Sequence, residues 1–181
     1  MARFLIASEE SAPQAVVDVL VDFRTKMGFP DTPNFIKAQA ASPAVMRGTW
    51  GLVQNVLIGG TLPRSLKEML FVAISVDRNC GYCEAAHLAC CRMLGVTEDT
   101  LTTLVKNVDG LRPERARDII QFAVKCARSP QSLDDADFER LKAHGLSDSE
   151  LTELIAMSAL AVYANTLADA LQVEPDSMFF T

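Results

Sequence analysis

The chain has 181 residues, of which 49% are hydrophobic and 22% charged, and this apolar content predicts one sizeable core and a single domain over residues 1–181. The formal net charge of −6 and the lack of a basic patch argue against nucleic acid as a partner. The first apolar stretch is too short for a secretory signal, and no later one is free of charge over a full span. We therefore expect no membrane partner and a cytoplasmic location.

The spacing of apolar residues predicts an all-α fold. They recur every three or four residues, and sustained two-residue alternation is almost absent. Proline, glycine and capping residues divide this pattern into helices. The predicted helices cover residues 12–27, 34–40, 43–57, 63–76, 80–94, 97–106, 113–128, a segment around Phe138 and Leu141 that stops at Gly145, and residues 147–170.

The reactive groups are concentrated around Cys80 and Cys83, which are separated by Gly81 and Tyr82. This spacing suits a reversible disulfide within one turn of chain. We expect Asn79 to cap a helix that begins at Cys80, so that both sulfurs lie in its first turn. The unpaired amides and the dipole of that turn would favour an anion, which predicts a lowered thiol pKa.

Two polar residues are candidates for proton transfer to these thiols. His87 follows Cys83 by four residues, so a helix would place both on one face, where the imidazole can exchange the thiol proton. Glu68 lies in an otherwise apolar segment, where a carboxylate can relay protons directly or through water. Taken alone, Glu68 could simply pair with Arg64, and His87 could be structural. Together with the cysteine pair, they predict a redox centre.

The remaining metal-binding residue types do not predict a metal site or a cofactor. Zinc would normally need four ligands, and the chain offers no second C-x-x-C and no paired histidines. We expect Cys90, Cys91 and Cys126 to pack as small hydrophobic residues, with Cys91 as an alternative resolving thiol, and His144 to lie at a helix end. Five cysteines, clustered and odd in number, indicate a reducing compartment.

A family resemblance is carried by two segments and by Gly95 that follows them. The segments are Lys67-Glu68-Met69-Leu70 and Asn79-Cys80-Gly81-Tyr82-Cys83-Glu84-Ala85-Ala86-His87. They resemble the core of AhpD-like alkylhydroperoxidases, within the carboxymuconolactone decarboxylase superfamily. The resemblance to this redox core covers about residues 43–104, and residues 141–173 resemble the peroxidase-related members. An AhpD-like helical bundle is implied. Glu153, before an apolar run, faintly echoes Glu68 and hints at a duplicated helical unit.

The resemblance implies a thiol peroxidase that reduces hydrogen peroxide or organic hydroperoxides. Cys83 would be the peroxidatic cysteine that becomes a sulfenic acid, and Cys80 the resolving cysteine that condenses with it. Glu68 and His87 would form the proton relay. The best-known AhpD has a histidine where this chain has Tyr82, so the rate and the reductant stay open. The expected reductant is a dihydrolipoyl carrier, a thioredoxin-like protein or a small thiol.

Two alternatives to a peroxidase stay open. One is a non-catalytic helical oligomeric module whose thiols pack internally or act as a redox sensor. The other is a decarboxylase, which is less favoured because that branch lacks the cysteine pair.

A trimer, a hexamer or a related homo-oligomer is implied by the resemblance. The number of apolar residues on helical faces also suggests self-association, because it is large for a small monomer. These residues include Met46, Trp50, Leu52, Phe71, Met157 and Tyr163.

Overall fold

A computed structural model describes residues 2–4 and 6–180, and all regular structure within them is helical. The all-α prediction is therefore confirmed. The α-helices are α1 (Gln14–Met27), α2 (Asn34–Lys37), α3 (Pro43–Leu52), α4 (Arg64–Arg78), α5 (Gly81–Met93), α6 (Glu98–Lys106), α7 (Glu114–Arg128), α8 (Asp135–Ala143) and α9 (Asp148–Ala170). Short 3-10 turns occur at Val108–Gly110, Pro130–Ser132 and Ser177–Phe180.

Most helix ends lie close to the predicted ones because local capping sets them. Thr97 accepts a hydrogen bond from the Thr100 N–H at the start of α6, and Ser147 and Glu150 form a capping box at the start of α9. The stop at Gly145 coincides with a left-handed backbone (φ 82°) that glycine adopts without strain. His144 is the C-cap of α8, so it lies at a helix end as expected. Its Nε2 hydrogen-bonds with Asp118 Oδ2 (2.8 Å).

The predicted helix over residues 43–57 is the main exception. Its α-helical part ends at Leu52, and Val53–Ile58 continues it as a π-helix. The buried ammonium of Lys67 binds the carbonyl oxygens of Val56 (Nζ to O, 2.9 Å) and Gly59, which supports the wider turns at this end. Hydrophobic periodicity cannot reveal such a contact, because it comes from another helix.

Helix α4 lies at the centre of the bundle. Every residue from Leu66 to Ser75 is buried, and the helix packs against α5, α7 and α9. Helix α9 has the length and mean hydropathy (1.4) of a membrane span, but half of that apolar window is buried inside the protein. Helix α9 is therefore a core element of the bundle.

The monomer buries most of the apolar residues that suggested self-association. Met46, Trp50, Phe71 and Met157 are buried, whereas Leu52 is exposed. That argument for an oligomer was therefore wrong for four of its six residues, since the helix packing already covers them. The homo-oligomer and the single-domain organisation stay predictions.

A buried ion pair joins α4 to α9. Lys67 is fully buried and binds Glu153, whose carboxylate also accepts hydrogen bonds from the N–H groups of Thr61 (2.8 Å) and Leu62 (3.2 Å). These contacts fix the loop between the π-helix and α4. Glu153 therefore has a structural set of partners, unlike those of Glu68 described below.

We expect Lys67→Met to lower the free energy of unfolding by about 3–5 kcal/mol, because it leaves the Glu153 carboxylate and two carbonyl groups without their cation. Urea unfolding measures this loss. Arg92→Met is the control, because it removes an exposed pair with Glu98 and should change stability by less than about 1 kcal/mol. Equal losses in the two variants would contradict the proposed weight of the buried pair.

Candidate redox site

The site forms where α4 turns into α5. Asn79 ends α4 with a left-handed backbone (φ 58°), which asparagine tolerates better than most residues, and Cys80 is the N-cap of α5. The prediction that Asn79 caps a helix beginning at Cys80 was wrong by one residue. Asn79 instead supplies the left-handed backbone of the turn, and Cys80, the actual N-cap, makes no side-chain cap hydrogen bond.

The two cysteines of the turn are buried side by side as free thiols. Cys80 is 0% and Cys83 2% exposed. The Cys80 N–H donates to the carbonyl oxygen of Ser75 (2.9 Å), and its Sγ lies 3.9 Å from the backbone oxygen of Asn165. The Cys80 side chain is close enough to the Cys83 thiol to raise its pKa, so the two thiols are neighbours in the fold.

The predicted lowering of the thiol pKa was wrong for Cys83 in this reduced state. Its pKa lies well above the ordinary value, first because the thiol hydrogen-bonds with Cys80 and second because burial disfavours the thiolate. A hydrogen bond with the Asn165 side chain lowers the pKa in part. The helix N-terminus does not outweigh a neighbouring thiol and full desolvation.

Glu68 holds both of the partners that the sequence offered as alternatives. This fully buried carboxylate accepts a hydrogen bond from Arg64 Nε (3.2 Å) through Oε1, and its Oε2 lies 2.5 Å from His87 Nδ1. The His87 ring stacks on Phe71, with centroids 3.5 Å apart. Because Nδ1 is engaged by the carboxylate, His87 must use Nε2 to exchange a proton with any other group.

A mostly apolar cavity of about 50 Å³ lies against these groups. One water needs roughly 10–15 Å³ by this kind of measure, so the cavity has room for a small organic group or several waters. Cys83, His87 and Cys90 line it, whereas Cys80 and Glu68 do not. Cys83 is thus the thiol of the pair that a ligand in this cavity can meet. The aromatic lining consists of Phe23, Phe29, Phe35, Phe71, Tyr82 and Phe179.

Tyr82, between the cysteines, closes one side of the cavity. Its hydroxyl donates to Asp176 Oδ2 (2.8 Å) and accepts from the Phe35 N–H (3.0 Å), and Asp176 also accepts from the Asn34 N–H. Phe179 packs edge-on against the Tyr82 ring. We call α2 together with residues 176–180 the cap. The cap lies outside the predicted redox core, and Tyr82 ties it to the cysteine motif.

Cys90 packs in the core, as predicted, and also lines the cavity of the site. One potential ligand atom from each of Glu68, His87 and Cys90 lies within 4.8 Å of the others. A cation at this cluster would compete with the Arg64 guanidinium for Glu68. The cluster supplies three ligands where a structural zinc site uses four. Burial, together with the charge of Glu68, raises the pKa of Cys90 well above its ordinary value, and that of Cys91 to about 12.

The part of the chain that holds the site matches a known protein family. The carboxymuconolactone decarboxylase family matches residues 43–109, which contain all four predicted site residues. A solved structure described as an alkylhydroperoxidase AhpD core, from a peroxidase-related protein of Ralstonia eutropha JMP134, is 25% identical. It superposes with a TM-score of 0.90 over 99% of this chain and 94% of its own. The chain therefore has an AhpD-like fold, and its residues 43–109 match the carboxymuconolactone decarboxylase family. No curated protein matches its sequence.

Two further solved structures share the AhpD-like fold. A peroxidase-related protein from Silicibacter sp. TM1040 is 24% identical, with a TM-score of 0.87 over 98% of this chain and 92% of its own. The debrominase Bmp8, as a cysteine-to-alanine variant in complex with 2,3,4-tribromopyrrole, is 19% identical, with a TM-score of 0.83 over 99% of this chain and 96% of its own. Similar helical folds therefore occur in a protein described as peroxidase-related and in a debrominase.

Three residues of this AhpD-like site were missed by sequence reasoning. Asn165 reaches the cysteines from α9, Asp176 anchors Tyr82, and Phe71 supports the His87 ring. Asn165 had a signal, since it is an amide within an apolar helical run. Asp176 and Phe71 had none, because their contacts depend on how distant segments pack.

The raised pKa of Cys83 predicts how its alkylation responds to pH. Because the thiolate is the reactive form, we expect iodoacetamide labelling of Cys83 to be slow near about pH 7 and still rising at about pH 9.5. Peptide-resolved mass spectrometry measures the rate. In the urea-unfolded protein the rate should level off just above the ordinary thiol pKa of about 8.5. A plateau below that pH in the folded protein would contradict the raised pKa.

The cap predicts a second effect on thiol reactivity. Tyr82→Phe removes the hydroxyl that binds Asp176 and the Phe35 N–H, so we expect Cys83 to react faster with a bulky aromatic disulfide reagent. Labelling by a small alkylating agent should change less. Tyr163→Phe is a matched control, because this hydroxyl binds Thr49 instead. Unchanged reactivity in Tyr82→Phe would show that Tyr82 does not hold the cap.

Proposed function

We propose that this AhpD-like protein is a thiol-dependent peroxidase that reduces hydrogen peroxide or organic hydroperoxides through a Cys80–Cys83 disulfide cycle. The observation that carries the proposal is that Cys83 and His87 line one cavity, while Cys80 neighbours Cys83 without lining it. This arrangement supplies an accessible sulfur, a base and a resolving thiol. The fold and the family support an enzyme of this superfamily.

The first step is attack of Cys83 on the peroxide. His87 Nε2 accepts the thiol proton, directly or through a water, and the Glu68 carboxylate stabilises the imidazolium through Nδ1. The Cys83 sulfur then forms a bond to the terminal peroxide oxygen while the O–O bond breaks. Sulfur is oxidised to the sulfenic acid, and the departing alkoxide or hydroxide takes the proton back from His87 and leaves as alcohol or water.

The second step closes the disulfide. The Cys80 sulfur attacks the Cys83 sulfenic acid, the S–O bond breaks and water leaves. Two electrons and two protons from an external dithiol, or from two monothiols, restore the dithiol, and the reductant leaves as its disulfide. A dihydrolipoyl carrier, a thioredoxin-like protein or a small thiol has the required chemistry. Because both sulfurs are buried beneath the cap, a protein reductant needs the cap to move, whereas a small thiol can enter more easily. A reducing compartment such as the cytoplasm fits this cycle.

A homo-oligomer is also part of the proposal. Val45 and Leu52 lie seven residues apart on α3 and are both exposed, as are Met93 and Leu94 at the end of α5. Exposed apolar side chains on helix surfaces suit an interface between copies. A trimer or a hexamer is expected from the AhpD-like resemblance.

Reductive dehalogenation is a second candidate, favoured by the aromatic lining of the cavity beside Cys83. In that reaction a carbon–halogen bond would be replaced by carbon–hydrogen, the two thiols would be oxidised to the disulfide and halide would leave. The fold similarity to the debrominase Bmp8 makes the comparison worthwhile. Release of bromide from a bromopyrrole, with no consumption of peroxide, would favour this candidate over the peroxidase.

Peptide mapping after one equivalent of cumene hydroperoxide tests the peroxidase. We expect a Cys80–Cys83 disulfide in the wild type and a trapped Cys83 sulfenic acid in Cys80→Ser. Cys83→Ser should abolish peroxide consumption, and Cys126→Ser, a remote buried cysteine on α7, should leave it unchanged. Full turnover by Cys83→Ser would show that the nucleophile is assigned wrongly.

Glu68→Gln should slow peroxide consumption by about 10²-fold or more while preserving the fold. Glutamine can still hydrogen-bond with Arg64 and His87, but it cannot stabilise an imidazolium by charge. Single-turnover kinetics measure the effect, and circular dichroism serves as the control for folding. A rate equal to that of the wild type would remove Glu68 from the relay.

A further inference from the structure

Asn165 is a buried amide facing the dithiol from α9. The residue is 0% exposed, and its helix buries Leu160, Ala161, Ala164 and Ala168 nearby. An amide in such surroundings destabilises the fold unless its donors and acceptors find partners. The contacts of Asn165 are therefore informative about its role.

The contacts of Asn165 converge on the cysteines. Its backbone oxygen lies 3.9 Å from Cys80 Sγ, and its side-chain amide is close enough to Cys83 to lower the pKa of that thiol in part. The Nδ2 atom donates to Ser75 Oγ (3.0 Å), and the Ser75 backbone oxygen in turn accepts the Cys80 N–H. One residue of α9 thus contacts Cys80 Sγ, favours the Cys83 thiolate and binds the turn that positions both cysteines.

The amide oxygen of Asn165 has no such partner. Among the described residues, Asn165 Oδ1 is a fully buried side-chain acceptor without a hydrogen bond. A tie between α9 and α4 needs only Nδ2 and Ser75, so it does not explain a polar side chain with an unmet acceptor. An acceptor that lacks a donor in the dithiol state suits a site where a donor arises later in a reaction.

We propose that the Asn165 amide stabilises the Cys83 thiolate through Nδ2 and then accepts the hydrogen bond of the Cys83 sulfenic acid through Oδ1. The second half rests on the peroxidase function proposed above. Attack on a hydroperoxide adds an S–O–H group to Cys83, and this hydroxyl is a new donor beside Oδ1. Holding the hydroxyl there keeps the sulfur exposed to Cys80 until the S–S bond forms and water leaves.

The first half is tested by the pH profile of Cys83 alkylation, which needs no peroxidase activity. Asn165→Leu removes the donor, so we expect the profile to move up by about one to two pH units, or labelling at fixed pH to slow about ten- to hundredfold. Asn165→Asp keeps the shape and also removes the donor, so it should shift the profile in the same direction. It serves if the leucine variant does not fold.

Ser75→Ala is the matched control. It removes the partner of Asn165 but leaves the amide facing Cys83, so it should lower the melting temperature without moving the profile. Labelling of Cys126 reports general loosening of the fold. If Asn165→Asp leaves the profile unchanged, or Ser75→Ala moves it equally, Asn165 is only a structural tie and the proposal is overturned.

The second half is tested in the Cys80→Ser background by trapping the Cys83 sulfenic acid with a dione reagent after peroxide addition. We expect Asn165→Leu to shorten the lifetime of the sulfenic acid and to increase over-oxidation to sulfinic acid. An unchanged lifetime would overturn the role of Oδ1. If no sulfenic acid forms even with Asn165 intact, the peroxidase function fails, and the alkylation profile still decides whether Asn165 stabilises the thiolate.

Discussion

The complete burial of Glu68 is the constraint on which the rest of the site depends. A carboxylate inside an apolar helix must find partners, and here it takes Arg64 from one turn earlier and His87 from the next helix. This pairing fixes the imidazole against Phe71 and selects which nitrogen remains for chemistry. Glu68 can therefore have a structural and a functional role at once, since the contacts that stabilise the buried carboxylate also orient the imidazole that we propose as the base.

The raised pKa of Cys83 shapes the proposed mechanism. A thiol that is protonated at rest reacts slowly with electrophiles. In the proposed mechanism, Cys83 therefore loses its proton when the substrate occupies the cavity. In the same proposed mechanism, His87 assists deprotonation as a proton acceptor and Asn165 as a hydrogen-bond donor to the thiolate. Activity and protection from over-oxidation can then come from the same buried geometry.

The sequence predicted well whatever depends on local chain order. The helices follow from apolar spacing and caps, as at Ser147, and the grouping of Glu68 with the cysteine motif follows from a specific pattern of spacing. The thiol pKa was predicted wrongly because spacing carries no information on desolvation. The π-helix and the Asn165 contacts were missed for a related reason, since each depends on packing between segments distant along the chain.

The residue between the two cysteines decides which groups surround the thiols, and in this chain it is Tyr82. A histidine between the cysteines would add a titratable group beside the thiols, whereas Tyr82 turns its hydroxyl to Asp176 and the backbone of α2. Burial raises the pKa of both Tyr82 and Asp176, and the hydrogen bonds from the Tyr82 hydroxyl and the Asn34 N–H offset part of this shift for Asp176. Because Tyr82 lies within the ring that a Cys80–Cys83 disulfide would close, any backbone change on oxidation would act directly on the tie to the cap. In the proposed cycle, the residue between the cysteines would therefore govern access to the disulfide rather than proton transfer, and the choice of reductant would depend on the cap as much as on the thiols.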